Sequence, residues 1–114
     1  MKLRLAARGI ELSADLKEQV RRRAHFSLGR FAARIRSMSI ILSDVNGPRG
    51  GNDKLCDIRV DVGLRQQVIV RERQANILAA VAFAVDRAER AVERQLKLKS
   101  TGIRGAVPMP ESGD

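Results

Sequence analysis

One histidine, one cysteine and a few strand carboxylates are the side chains of this 114-residue chain that could support acid–base or nucleophilic chemistry. His25 has no acid or cysteine at a spacing that would build a catalytic pair, and reads as a solvated imidazole. Cys56 alternates with the inward residues of a strand, the pattern of a buried and inert thiol. Asp57 and Asp61 share the polar face of the same strand and are expected to partner neighbouring arginines rather than to work as an acid/base pair. The glycine-rich stretch Asn46–Asp53 lacks the lysine–serine/threonine ending of a P-loop and opens no helix. It is read as a hairpin loop whose Arg49, with nearby Lys54, adds contacts to a polyanion backbone. A lone histidine and a lone cysteine also exclude zinc-finger spacings and an internal disulfide. The expectation is a protein that is no enzyme and uses no metal, cofactor or small-molecule substrate.

Charge is the stronger signal. Lys and Arg number 22 against 13 Asp and Glu, a formal +9 with a pI near 11.2. That imbalance points to a polyanion, nucleic acid before membrane. Arg outnumbers Lys 17 to 5, and guanidinium groups grip phosphate with paired hydrogen bonds. Three Phe with no Tyr or Trp cannot furnish a stacking platform for successive bases, so contact should run through phosphates and shape.

The arginines fall in rows. At about 100° per residue, Arg87, Arg90, Arg94 and Lys97 lie opposite the apolar stripe of a C-terminal helix, in a row expected to face away from the sheet. Arg22, Arg23 and Arg30 occupy the outer face of an N-terminal helix, with Phe26 among them and Arg21 and His25 nearer the other flank. Phe26 is expected to pack on a loop rather than to stack on a base. A single charged row is commonly just a solvated face; two adjacent rows of one sign favour binding. Affinity would then fall by roughly two to four orders of magnitude over a fourfold rise in salt.

The elements that must carry these rows follow from hydrophobic periodicity. Alternation over residues 2–6 predicts a half-buried strand. Ser13 is a good N-cap for a helix over 14–33, whose apolar face is Leu16, Val20, Ala24, Leu28 and Phe31. Gly29 weakens its last turn. Strands are predicted over 36–44, from Cys56 through Val62, and over 67–73, with a turn at 63–66. The last helix is predicted from Gln74 or Ala75 to Lys99, with Ile77, Val81, Ala84, Val85, Ala88, Val92 and Leu96 on one stripe. Asp86–Arg90 and Glu93–Lys97 are acid-first i,i+4 pairs.

This order gives a β-α-β-β-β-α chain of class α+β: a two-layer sandwich with a four-stranded sheet and both helices on one face. The first two strands should pair in parallel across the helix, and the next two pairings should be antiparallel hairpins. One domain is expected over 1–99, with 100–114 as a flexible tail. Arg104 stands in that tail against Glu111 and Asp114, so the basicity belongs to the folded part. No apolar run is long enough to span a membrane, and no secretory leader is evident. A cytoplasmic location is therefore expected.

The strand order, Ile10-Glu11-Leu12-Ser13 leading into a basic helix, Ile-Ile-Leu-Ser at 40–43, and Asp86-Arg87-Ala88-Glu89-Arg90 with Glu93-Arg94-Gln95-Leu96 resemble one bacterial family. It is the ribosome hibernation-promoting factor and ribosome-associated inhibitor family, also called sigma-54 modulation proteins. The resemblance covers residues 2–99. It implies a fold like the double-stranded-RNA-binding domain with an added first strand. It also implies binding to ribosomal RNA of the small subunit, in the channel used by messenger and transfer RNA, silencing translation in starvation. Arg23 and Arg30 match basic positions of the family's first helix, and Arg87, Arg90 and Arg94 those of its last. Departures are Asn76-Ile77-Leu78 where many members have an acidic residue, an apolar one and Tyr, and a longer Asn-Gly-Pro-Arg-Gly-Gly loop. The pairing domain of long members has no counterpart, so the short form, monomeric off the ribosome, is expected. A protein-interaction regulator and a general module for structured RNA are the alternative readings.

Overall fold

The computed structural model describes residues 1–45 and 53–102, with side chains described to Leu98. Strand β1 (Lys2–Arg8) leads through Gly9 and the Ser13 N-cap into helix α1 (Ala14–Leu28), which passes into a 3-10 turn over Gly29–Arg34. Strands β2 (Ser37–Asp44), β3 (Lys54–Asp61) and β4 (Gln67–Gln74) follow, and helix α2 (Ile77–Gly102) closes the chain. The sheet order is β1-β2-β3-β4, with β1 and β2 parallel and the other two pairings antiparallel. Fold class, element order and pairing sense all agree with the sequence reading.

Local chemistry explains the ends. The Ser13 hydroxyl accepts from the Leu16 amide at 3.0 Å, satisfying one of the donors left open at a helix start. Asn76 does the same for α2, accepting from Leu78 and Ala79 amides at 2.8 and 3.2 Å. That cap is why α2 begins at Ile77 while Gln74, predicted as a possible helix start, remains in β4. The first helix is shorter than the 14–33 expected. At Gly29, with its low helix propensity, the chain tightens to 3-10 geometry, half-burying Phe31 against the core. Helix α2 runs to Gly102, three residues into the stretch read as a tail; the remainder of that stretch lies outside the described residues, as does most of the Asn46–Asp53 loop. The β2–β3 connection is closed by the Val45 amide donating to the Asp53 carbonyl at 2.9 Å.

Strict alternation divides the sheet into two faces. On the helix side, Leu5, Ile40, Ile58 and Val70 form one continuous cross-strand row, and Leu3, Met38, Val60 and Val68 another. Val20, Ala24 and Leu28 of α1, with Val81, Val85, Val92 and Leu96 of α2, complete the core. No polar or charged residue is buried among the described residues, so the charge of the chain is displayed on its surface.

The β3–β4 turn is strained. Gly63, Leu64 and Arg65 all have positive φ, at 85°, 55° and 61°, and only the first is suited to it. The Asp61 carboxylate accepts from the Gly63 amide at 2.9 Å, which holds the turn from its start. Asp61 was expected to partner an arginine; at a strand end, the adjacent turn amide is the nearer donor.

Candidate nucleic-acid interface

Helices α1 and α2 lie against each other on the sheet, and the predicted basic residues divide into those held by carboxylates and those left open. Arg22 reaches Glu18 at 3.5 Å within α1. Arg30, in the 3-10 turn, crosses to α2 and meets Glu89 at 3.2 Å and Glu93 at 3.5 Å, while its guanidinium sits 4.2 Å from the Phe31 ring centroid. The two acid-first pairs read from the sequence are formed: Arg90 with Asp86 at 3.0 Å and Lys97 with Glu93 at 3.6 Å. Arg23 and Arg94 are exposed and have no ion pair among the described residues.

Arg87 departs from the expected row. Instead of facing away from the sheet, it turns down to β4, donating to the Arg71 carbonyl at 3.0 Å and to Glu72 at 2.7 Å. β4 is an edge strand, so its outward carbonyls lack a neighbouring strand. A long cation on the flank of α2 is well placed to satisfy one. The Arg87 hydrogen bond, with a second from Gln74, holds the Glu72 carboxyl below its usual range.

The surface is thus cationic but laced with carboxylates. Such pairs on exposed side chains contribute about 0–1 kcal/mol each. They restrain the arginines without removing them from solvent; the Arg90 side chain remains 71% exposed. The sequence supplied the i,i+4 pairs by spacing. It gave no signal for Arg30–Glu89 or Arg87–Glu72, whose partners are 59 and 15 residues apart.

Apolar residues break the basic surface at the helix–helix crevice. Phe26 is 86% exposed and does not pack on a loop as expected. It lines a crevice of about 430 Å³ with Arg22, Arg23 and Leu78, and adjoins Phe83 on the neighbouring turn of α2. Phe83, 53% exposed, went unremarked in the sequence, although its place off the Val81–Val85 stripe marks it as outward.

The remaining candidates are structural. Cys56 is buried, and its thiol is pushed up to about 12 by burial, then by the charges of Asp57 and Glu72. Asp57 pairs with Arg71 at 3.0 Å, as expected of it, and Lys54 with Asp44 at 3.1 Å. His25 is exposed, and Arg49 lies outside the described residues. Among the described residues no cluster of His, Cys, Asp and Glu suits a metal ion, and no helix is long and apolar enough to cross a membrane.

A family model described as "Sigma 54 modulation protein / S30EA ribosomal protein" matches residues 3–99, which span nearly the whole described fold. This chain belongs to that family. The sigma-54 modulation / S30EA family is the one that the sequence resembles over residues 2–99. Two solved structures are similar to this member. A ribosomal subunit interface protein from Coxiella burnetii has 15% identity and a TM-score of 0.70, over 85% of this chain and 99% of that one. The N-terminal domain of Thermus thermophilus Protein Y has 25% identity and a TM-score of 0.65, over 83% and 99%. No curated protein sequence matches the chain.

Proposed function

We propose that this protein is a ribosome-associated hibernation factor that binds ribosomal RNA of the small subunit and blocks the channel used by messenger and transfer RNA. Membership of the family over residues 3–99 carries this reading, and a Thermus thermophilus Protein Y domain and a ribosomal subunit interface protein of the same fold support it. The physical support is an excess of positive charge on a surface of two packed helices, without the aromatic array that unpaired bases require.

The contact residues under this proposal are Arg22, Arg23, Arg30, Arg87, Arg90, Arg94 and Lys97, in three ranks. Arg23 and Arg94 need break no ion pair and engage phosphate first. Arg22, Arg30, Arg90 and Lys97 exchange a carboxylate for a phosphate, losing part of the gain. Arg87 holds α2 to β4 and contributes through position more than through direct contact. The protein acts by occupancy and charge rather than catalysis, in the compartment that holds ribosomes.

The test is co-sedimentation with small ribosomal subunits. Charge reversal at Arg23 and Arg94 together weakens binding at least tenfold while circular dichroism is unchanged. Undiminished co-sedimentation of that folded variant would remove the helix surface from the proposal. A second reading, regulation through a protein partner, has one specific observation in its favour: Phe26, Phe83 and Leu78 are exposed around two adjoining crevices that share Phe26. Pull-down with and without nuclease separates the two, since only an RNA-dependent partner is lost on digestion.

A further inference from the structure

The sheet face opposite the helices carries a second set of cations that the helix-centred reading leaves unused. Register places Lys2 beside Ser37, Arg4 beside Ser39 and Arg8 beside Ser43, so three cations of β1 each border a serine of β2. On the far side of Ser39 stands Arg59 of β3. Adjacent strands lie about 4.8 Å apart, so Arg4 and Arg59 rise from backbones roughly 9.6 Å apart with only a serine hydroxyl between them. Long side chains flanking a short one make a trough. It measures about 450 Å³ and is lined by Lys2, Arg4, Ser37, Ser39, Arg59 and Asp61, among others.

The trough differs from the helix surface in how its charge is held. Lys2, Arg4, Arg8 and Arg59 are exposed and have no ion pair among the described residues. Of the acids on this face, Asp57 is taken by Arg71 and the Asp61 carboxylate accepts from the Gly63 amide. Asp61 also lines the trough, so its three cations, Lys2, Arg4 and Arg59, leave a net charge of +2. Arg73, farther along β4, is paired with Asp53. Two guanidiniums held across a serine with no carboxylate between them repel each other until an anion enters. A phosphate satisfies both forks and the hydroxyl together.

We infer that the open sheet face is a second nucleic-acid surface, with the Arg4–Ser39–Arg59 trough seating a phosphate of an RNA backbone. Serine hydroxyls and the absence of aromatic rings on this face favour the backbone over bases. The chain would then meet RNA on both of its faces, the helices against one segment and the sheet against another. The inference shares its partner class with the proposed function but not its residues.

The experiment measures binding of a fluorescein-labelled RNA hairpin by anisotropy over a salt series. Four proteins are compared with the wild type. Arg4→Glu/Arg59→Glu reverses the trough, Ser39→Leu fills it at constant charge, and Lys17→Glu/Arg34→Glu makes the same charge change elsewhere. Arg23→Glu/Arg94→Glu reports on the helix surface. The trough reversal is expected to lose at least tenfold in affinity and about one from the salt slope, since one phosphate is seated there. Ser39→Leu should lose at least threefold, and it carries the test if the reversal variant fails to fold. Loss in the helix variant with wild-type binding by both trough variants overturns this inference and leaves the helix reading standing. Loss in the trough variants with wild-type binding by the helix variant does the reverse. Equal loss in the trough and control reversals assigns the effect to bulk charge and overturns it. So does a trough variant unaltered on RNA but released from poly-glutamate, which would assign the face to an acidic protein.

Discussion

Arg87 and Glu72 meet at 2.7 Å, joining the flank of α2 to the edge strand of the sheet. The contact satisfies an edge carbonyl through the same guanidinium and ties the flank of α2, seated by its buried stripe, to β4. Arg87→Met should cost about 1 kcal/mol at neutral pH, the range for a hydrogen bond to a charged group on a half-exposed pair. Because Glu72 is held below its unfolded value, its contribution is complete above the ordinary carboxylate range. It is lost as pH falls through the lowered folded value. Urea melts of wild type and variant should therefore differ at pH 7 and converge in acid.

Arg30 is clamped by Glu89 and Glu93 together, so those acids compete with any phosphate for it. Glu89→Gln/Glu93→Gln should tighten binding to structured RNA several-fold at low salt and steepen the salt dependence. A salt titration of RNA affinity checks this, and weaker binding would show that the acids organise the surface instead of masking it.

Ile58 is fully buried in the row Leu5–Ile40–Ile58–Val70. Ile58→Ala should destabilise the fold by roughly 2–5 kcal/mol, since the sheet and two helices around it cannot all close on the void. In a domain this small that is a large part of the total. Thermal denaturation would show a fall of many degrees.

Leu64 and Arg65 occupy left-handed backbone conformations, which cost L-residues about 1–2 kcal/mol apiece. Arg65→Gly should raise stability by about 0.5 kcal/mol, the strain relieved less the added unfolded-state entropy. A lower melting temperature would mean that the Arg65 side chain has a role beyond the turn.

Cys56 should resist iodoacetamide at pH 8 in the native protein, because burial pushes its thiol up to about 12 and the thiolate is the reactive form. Labelling should become rapid in denaturant. Rapid native labelling would mean that the β3–β4 region opens readily.

The arrangement of strands and helices was legible in the chain because it rests on local periodicity. Cys56, Ile58 and Val60 alternate with Asp57, Arg59 and Asp61, and this alone dictates which side faces the core. Net charge was equally plain, as were Asp86–Arg90 and Glu93–Lys97, because helix geometry makes residues four apart neighbours. Which arginines stay available was decided only on folding. Arg30 and Arg87 are occupied by acids brought from other elements, and no local spacing encodes those meetings. The same holds for Arg4 and Arg59, which sequence separates widely and sheet register sets on either side of Ser39. Position along the chain gave each residue its helix face or strand side, whereas the neighbours of each charge depended on how the elements packed.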